Sequence, residues 1–237
     1  MPAQPLTSVI PAFKAFPPPA CSMGFGGDVF RGRPKFAELV SETIASWAQV
    51  EAGLGGVLAS LIDVSQGAAI TLFEEMENVR ARVRVIKRLA EKKLTEQDSA
   101  LISVSLDVVT SLAQKRHDFA HKIWGFVDLL PDSILLAHPT ITSQAVFSAK
   151  KFVEKLQNEK EVKGQPFFDY RLIHVYKLKD LEDVCKDMQL ANFIVARVYL
   201  LAQEGEEEKS SGRDLLRSEP RIQSALSTNQ TRDVSPP

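Results

Sequence analysis

Apolar residues recur at alternating steps of three and four positions over several long stretches of the chain, which is the spacing of a helix with one buried face. The first stretch predicts a helix whose inward positions are Phe36, Val40, Thr43, Trp47, Val50, Leu54, Val57 and Leu61. Gly53, Gly55 and Gly56 lie within it and indicate a close helix crossing or a kink. The second stretch predicts a helix with Leu72, Met76, Val79, Val83, Ile86 and Ala90 inward.

Two further helices follow from the same spacing. Thr95, with Asp98 three residues later, can start the third helix as a capping box. Its inward residues are Ile102, Leu106, Val109 and Ala113, and the same stripe continues to Arg116 and Ala120. The last helix is predicted from about Leu181 to Gln203, with Val184, Met188, Ala191, Ile194, Val195, Val198 and Leu201 inward.

Two short segments have strand character instead. SILLAHP and RLIHVYKL are rich in branched apolar residues, are bounded by Pro and polar residues, and can pair as a small hairpin. The predicted fold class is therefore all-α, a helical bundle of about four long helices with a small β-hairpin or extended insertion before the last helix.

The two ends of the chain differ from this middle part. Residues 1–33 contain a PPP run and the tetrapeptide GFGG, which favour a flexible Pro/Gly-rich leader. Residues 205–237 contain few large apolar side chains and are predicted to be a disordered polar tail. The folded domain is then expected at residues 34–204.

Composition excludes several classes of protein. Hydrophobic residues make up 44% of the chain, and 29 basic and 30 acidic residues nearly cancel, so no global field favours nucleic acid or an anionic membrane. Cys21 and Cys185 are isolated, which argues against structural zinc and a disulfide framework. Without a signal-peptide pattern or a membrane-spanning apolar run, the expectation is a cytoplasmic protein without membrane contact.

The third helix ends in the stretch KRHDFAHKIWG, which concentrates polar and titratable residues on a helix that otherwise packs. Arg116 and His121 are separated by four residues, of which the first is His117 and the last is Ala120. This pattern resembles the signature of the HEPN superfamily, whose helical bundles carry an Arg, then four to six residues, then a His. A polar residue often follows the Arg directly in that family, and His117 fills this place.

The resemblance implies a metal-independent ribonuclease without a cofactor, usually dimeric, in which the Arg and the His of two subunits face one composite cleft. Helix geometry requires either this second subunit, a distorted helix end or the long reach of arginine to bring both groups to one phosphate. Five residues rotate by about 500°, so Arg116 and His121 point about 140° apart and do not share a helix face. His117 and His121 do share a face, and Asp118 can orient the His121 imidazole.

The chemistry of such a site needs few groups. Arg116 can stabilise negative charge that develops on an RNA phosphate, and His121 can move a proton on or off the 2′-hydroxyl or the leaving oxygen. The candidate catalytic residues are Arg116, His121, His117 and Asp118. The resemblance also implies RNA as partner, a homodimer, and a toxin or defence role with a neutralising antitoxin.

Weaker signals surround this motif. The stretch VRARVRVIKRLAEKK predicts a basic helix face that can follow an RNA backbone. Its residues are Arg80, Arg84, Lys87 and Arg88, and Lys122 is added from the motif. Glu51, next to the inward Val50, can pair with Arg116.

Alternatives remain open from the sequence. The motif can be a solvated helix end in which Asp118 pairs with Lys122 and His121 packs, or a HEPN bundle that has lost catalysis. The protein is then a non-catalytic helical module that binds RNA, nucleotide or a protein partner, or a purely structural interaction protein.

Overall fold

The computed structural model describes residues 4–15, 18–62, 64–141, 143, 147–148, 150 and 169–232. Over these residues the chain is predominantly α-helical, as predicted, and it also forms a five-stranded antiparallel sheet. The chain divides into two compact units. We call residues 1–41 and 117–184 the sheet unit, and residues 42–116 and 185–237 the helical unit.

The sheet is larger than the predicted hairpin. Its strands are β1 (Gln4–Pro5), β2 (Met23–Phe25), β3 (Ile123–Val127), β4 (Ser133–Ala137) and β5 (Ile173–Lys177), and their order in the sheet is β1-β5-β4-β3-β2. The predicted pairing of SILLAHP with RLIHVYKL is confirmed by β4 and β5, in which Leu135 lies opposite Val175. The expectation of an all-α fold with one hairpin underestimated the number of strands, because β3 pairs with the free side of β4 and β2 pairs with β3.

The prediction of a flexible leader is wrong for the residues that the structure describes. The N-terminal segment supplies β1, α1 (Leu6–Val9), a 3-10 turn at Pro11–Lys14, β2 and a second 3-10 turn at Gly27–Phe30. Leu6 and Phe13 are buried in one cluster with apolar residues of the sheet, including Leu135, Ile173 and Val175. Leu6 and Phe13 do not form a helical or strand pattern in the sequence, but the burial of each side chain removes apolar surface from water.

The helices that follow are α2 (Pro34–Leu61), α3 (Gln66–Glu74), α4 (Val79–Lys93), α5 (Glu96–His121), α6 (Leu178–Ala202), α7 (Glu206–Ser218) and α8 (Pro220–Arg232). The chain passes between the units within α2 after Ser41, within α5 after Arg116 and within α6 after Val184. The predicted start of α5 is confirmed, since the Thr95 hydroxyl accepts a hydrogen bond from the Asp98 amide at 3.2 Å.

The second predicted helix is in fact two helices. α3 ends at Glu74, and α4 begins at Val79 after Asn78, whose side-chain oxygen accepts a hydrogen bond from the Ala81 amide at 3.0 Å. Asn is a strong N-cap residue because it satisfies an amide that the helix leaves without a partner. The predicted inward position of Leu72 is wrong, because Leu72 is 54% exposed and the buried residues of α3 are Ala69 and Phe73. Apolar residues nevertheless continue across the break, so periodicity alone did not reveal it.

The core of the helical unit collects inward residues from most of its helices. Trp47, Val50, Leu54, Ile86, Ile102, Leu106, Ile194 and Val198 are among its buried members. The predicted close crossing at the α2 glycines is confirmed at Gly53, where an added Cβ would lie 2.6 Å from Cγ1 of Val195 on α6.

The prediction of a disordered tail is also wrong for the residues described, because α7 and α8 pack on the helical unit. Leu216 and Ile222 are fully buried. The Arg213 guanidinium binds the Asp98 carboxylate through Nε at 2.8 Å and Nη2 at 3.1 Å, and Arg221 binds Asp187 at 2.6 Å. The tail is polar in composition. Its few apolar residues nevertheless pack into the core of the helical unit, and its two arginines pair with buried carboxylates.

We expect Gly212→Ala to weaken the packing of α7 on α6. An added Cβ at Gly212 would lie 2.9 Å from both the Arg197 carbonyl oxygen and the Leu201 amide nitrogen, which are backbone atoms that cannot rotate away. Overpacking of this kind costs about 1–3 kcal/mol. Thermal unfolding followed by circular dichroism measures the loss.

Gly67→Ala in α3 is the matched control for this substitution. No atom of the described residues lies within 4 Å of an added Cβ at Gly67, and alanine favours the helix by up to about 1 kcal/mol. The midpoint should therefore fall for Gly212→Ala and stay or rise for Gly67→Ala. Equal midpoints in the two variants would contradict the close packing of α7.

Candidate active site

The candidate site lies at the C-terminal turn of α5, which leads almost directly into β3. Phe119 fixes this turn on the sheet, because it is 2% exposed and its ring centroid lies 5.5 Å from that of Trp124 and 5.2 Å from that of Tyr176. Residues two positions before and after Phe119 are rotated by about 200° and point away from the sheet. His117 and His121 occupy these positions, and both are exposed.

The two imidazoles form a side-by-side pair. The ring centroids of His117 and His121 are 4.4 Å apart with an interplanar angle of 45°. The predicted shared face of these residues is therefore confirmed. Two solvent-open imidazoles at one place can divide the roles of proton acceptor and proton donor.

Asp118 makes the contact expected in the alternative of a solvated helix end, and not the one expected for a catalytic site. Its carboxylate pairs with the Lys122 ammonium at 3.0 Å, one helical turn ahead, and both side chains are partly covered. The expectation that Asp118 orients His121 is therefore corrected, since its ion pair in this structure is with Lys122. Lysine four positions after aspartate is a favourable helix pair, which explains the preference.

The sheet beside this turn carries two further titratable residues. Register places Trp124, Leu136 and His174 in one row across β3, β4 and β5, and Tyr176 lies on the same face two residues along. Burial, and secondly the charge of Lys122, lower the pKa of His174, whereas Asp118 acts in the opposite direction. Burial raises the pKa of Tyr176 to about 12, with Asp118 adding to the effect.

Neither His174 nor Tyr176 was predicted as part of the site. The strand pattern of RLIHVYKL places them on one face by alternation, which is a signal that the sequence did contain. Which helix covers that face follows only from the contact of Phe119 with Tyr176.

Arg116 belongs to the helical unit and is half-buried. Its Cζ atom lies 5.8 Å from the Trp47 ring centroid, within the range of a cation–π contact. Its Nε atom is buried and has no hydrogen-bond partner among the residues described.

The predicted pairing of Glu51 with Arg116 is wrong. The Glu51 carboxylate accepts a hydrogen bond from Arg82 Nη1 at 3.2 Å. Arg82 also donates from Nε to the Phe73 carbonyl at 3.2 Å, and its Cζ atom lies 4.3 Å from the Phe73 ring centroid. The Arg82 side chain thus joins α2, α3 and α4, and Glu51 is part of this clamp.

The predicted basic face of α4 is only partly available for an anion. Arg80, Arg84 and Arg88 are exposed, as expected. Lys87 is paired with Asp107 at 2.6 Å, and Arg88 reaches Glu91 at 3.5 Å. RNA binding by this face stays a prediction, with acidic neighbours that reduce its positive charge.

Comparison with family models, with curated proteins and with solved structures found no match for this chain. The resemblance to the HEPN superfamily therefore rests on the motif from Arg116 to His121 and on the helical layout before it. Within the described ranges, no group of three or more His, Cys, Asp or Glu side chains is placed to hold a metal ion. Nor does any helix among those residues combine the length and the apolar run that crossing a membrane requires.

Proposed function

We propose that the protein is a metal-independent endoribonuclease of HEPN type that acts as a homodimer. The observation that carries the proposal is the pair of exposed imidazoles, His117 and His121, whose ring centroids are 4.4 Å apart on the last turn of α5. Histidine changes charge near neutral pH and is the side chain most often used for proton transfer. An exposed pair of this kind has no evident packing role.

In the proposed reaction, His121 accepts the proton of the RNA 2′-hydroxyl, and the 2′-oxygen forms a bond to phosphorus. The bond from phosphorus to the 5′-oxygen breaks, and this oxygen takes a proton from His117. The products are a 2′,3′-cyclic phosphate and a free 5′-hydroxyl. Arg116 stabilises the negative charge on the phosphate oxygens, the role that the resemblance implies for it.

The fold of the helical unit supports the same proposal. We assign α2, α4, α5 and α6 as the HEPN-like set of four long helices. All four contribute buried side chains to one core cluster, for example Leu54, Ile86, Leu106 and Val198. α3, α7 and α8 are then additions to this set.

The biological setting is proposed from the resemblance alone. HEPN ribonucleases commonly serve toxin or defence systems in the cytoplasm, so we propose a neutralising antitoxin as partner. RNA is the proposed substrate, and the arginine and histidine of two copies are proposed to face one composite cleft.

The decisive experiment is cleavage of a mixed RNA by the purified protein in excess EDTA, with DNA of the same sequence as a second substrate. The parent should leave cyclic-phosphate ends on RNA and leave DNA intact, because DNA lacks the attacking hydroxyl. Arg116→Ala should lower kcat/KM by about 10² to 10³-fold, the cost of removing one group that stabilises transition-state charge.

Arg217→Ala is the matched control, since it removes one exposed arginine from α7 and changes the net charge equally. It should cleave as the parent does. RNA left intact by the parent, or equal cleavage by Arg116→Ala and the control, would contradict the proposal. Size-exclusion chromatography with light scattering checks that the oligomeric state is unchanged.

A second candidate function is binding of a small ligand such as a nucleotide without catalysis. It is favoured by a cavity of about 440 Å³ in the helical unit, lined by residues that include Glu51, Gly55, Phe73 and Arg82. This volume lies within the range of small-molecule sites. Intact RNA in the cleavage experiment would favour this candidate.

A further inference from the structure

A group of aromatic rings lies next to the candidate site on one face of the sheet. The Trp124 ring contacts two others, with its centroid 5.5 Å from that of Phe119 and 5.3 Å from that of Phe30. Phe126 lies two residues along β3 and therefore on the same face as Trp124. Phe119 is buried, whereas Trp124, Phe30 and Phe126 are half-buried and keep part of their surface open to solvent. All four belong to the sheet unit, and we call the three half-buried ones the aromatic patch.

Two glycines of the GFGG tetrapeptide shape this aromatic patch. The Gly26 amide donates a hydrogen bond to the Trp124 carbonyl at 2.9 Å, which holds the following 3-10 turn and its Phe30 against β3. Gly26 has a φ of 136°, a backbone conformation that residues with a side chain rarely adopt. Gly24 lies opposite Phe126, and an added Cβ at Gly24 would lie 2.7 Å from Cε1 of that ring. The absence of a side chain at Gly24 therefore makes room for the Phe126 ring.

An arginine without an acidic partner lies beside the aromatic patch. The Cζ atom of Arg33 is 5.6 Å from the Phe126 ring centroid, within the range of a cation–π contact. Its Nη1 atom donates to the Val29 carbonyl at 3.4 Å, its Nε atom is buried without a partner, and no ion pair among the residues described includes it. Arg31, by contrast, pairs with Asp28 at 3.6 Å. The charge of Arg33 is therefore not neutralised within the described residues and suits an external anion.

We propose that the aromatic patch and Arg33 form a subsite for an unpaired nucleotide of the RNA substrate. The base stacks on the Trp124 and Phe30 rings, and the Arg33 guanidinium binds a neighbouring phosphate. Aromatic rings beside a cation recognise single-stranded RNA, because every base has a π-face and every nucleotide carries a negative charge. This inference rests on the proposed ribonuclease function and adds to it the form of RNA that the protein takes.

The position of the patch favours an unpaired strand over a double helix. Trp124 follows His121 by three residues, so their Cα atoms are at most about 11 Å apart. His121 points away from the sheet, whereas Trp124 contacts Phe119 on the sheet side of the same turn. RNA that reaches both residues must therefore bend sharply around the end of α5. A double helix is stiff over this distance and keeps its bases stacked inside, so an unpaired segment is required.

The test measures binding, so that its result does not depend on cleavage. The probe is a short single-stranded RNA with methylated 2′-hydroxyls, which cannot attack the phosphate, and its Kd is measured by fluorescence anisotropy. Trp124→Leu and Phe30→Leu should each raise Kd by about 5- to 150-fold, the usual effect of losing one stacked base. Trp124→Phe and Phe30→Tyr each keep a ring and should stay within about threefold of the parent.

Tryptophan fluorescence reports the stacking directly. The chain has two tryptophans, and Trp47 is only 2% exposed, so quenching by the bound probe should come from Trp124. Trp124→Phe should therefore lose the quenching although it still binds the probe. A double-stranded RNA of the same sequence should neither quench the fluorescence nor compete with the probe.

The role of Arg33 is tested through the salt dependence of binding. Arg33→Gln should raise Kd and reduce the slope of log Kd against log salt concentration by about 0.7, the value for one phosphate contact to a single strand. Arg217→Gln removes an exposed arginine of α7, changes the net charge equally, and should leave both quantities unchanged.

Phe13→Leu controls for the loss of a ring from the same unit. Phe13 packs with Leu135 and Val175, whose side chains are on the opposite face of the sheet from Trp124, so this variant should lower the thermal midpoint and leave Kd unchanged. Unchanged Kd in Trp124→Leu and Phe30→Leu, an equal rise in Phe13→Leu, or equal quenching by the duplex would overturn the subsite and leave the ribonuclease standing. A parent that binds the probe through the patch but leaves cleavable RNA intact would overturn the ribonuclease and leave the subsite standing.

Discussion

Replacing His121 with alanine should lower kcat/KM for RNA cleavage by about 10² to 10⁴-fold, the usual contribution of a positioned group that transfers a proton. The loss should appear in kcat, because proton transfer is made in the transition state and not in the bound ground state. The fold should be unaffected, since the His121 side chain is exposed and the last turn of α5 is held by Phe119. Initial rates on a fluorescent RNA, with thermal midpoints measured on the same samples, check both statements.

The neighbouring imidazole of His117 takes part in the same proposed proton transfer. His117→Ala should also lower kcat, and the double variant should lose little more than the worse single variant, since the two groups act in one proton-transfer sequence. His138→Ala is the control, because His138 is also exposed and its imidazole is bonded to the Thr140 hydroxyl. Full activity in His121→Ala, or an equal loss in His138→Ala, would remove His121 from the mechanism.

Arg213→Ala is expected to have the largest effect on stability. It leaves the Asp98 carboxylate, whose side chain is 5% exposed, buried without the guanidinium that binds it in two places. An uncompensated buried charge costs about 3–5 kcal/mol, and we expect the lower end because the Thr95 hydroxyl and the Lys209 charge remain beside Asp98. Urea unfolding at pH 7 measures the difference.

The pH dependence gives an independent check of the same ion pair. The Arg213 hydrogen bonds hold the pKa of Asp98 below its usual value, so the folded state binds this proton less readily than the unfolded state does. The stability from this pair is therefore present above about pH 4, and it is lost as pH falls through the lowered pKa. The difference in the free energy of unfolding between the parent and Arg213→Ala should become smaller over that acid range.

A double variant, Asp98→Ala with Arg213→Ala, should recover part of the loss, because no buried charge is then left unpaired. If the double variant is less stable than Arg213→Ala by the full cost of a second independent substitution, the ion pair is not the cause. A difference in the free energy of unfolding between the parent and Arg213→Ala that stays constant from pH 7 to pH 3 would also show that the ion pair is not the cause.

Periodic elements could be predicted from the sequence because their pattern has a direct physical cause. The stripe from Trp47 to Leu61 and that from Ile102 to Ala113 face the core of the helical unit, and branched residues marked β4 and β5. The break between α3 and α4 was missed because Met76 and Val79 keep the stripe in phase across it. The side chain of Asn78, and not a change in hydropathy, starts the new helix.

The tails and the surroundings of the motif were harder to predict, since they depend on long-range partners. Leu6, Phe13 and Leu216 belong to short apolar groups in polar or Pro-rich surroundings, and only their distant neighbours show that they are buried. The partner of Glu51 was equally hard to predict. Glu51 pairs with Arg82 and not with Arg116 because of the position of α4 in the fold. His117 and His121 could be paired in advance because helix geometry alone brings them together.

The order of strands in the sheet has a consequence for how the chain folds during synthesis. β1 lies at the edge of the sheet and pairs with β5, which is about 170 residues further along the chain. At ribosomal rates of about 5–20 residues per second, the first strand waits roughly 10 to 30 s for its partner. During that interval Leu6 and Phe13 lack the strand residues that bury them in the finished protein. Completion of the sheet is therefore a late event in folding, and the apolar side chains of the N-terminal segment are without these partners until β5 has been made.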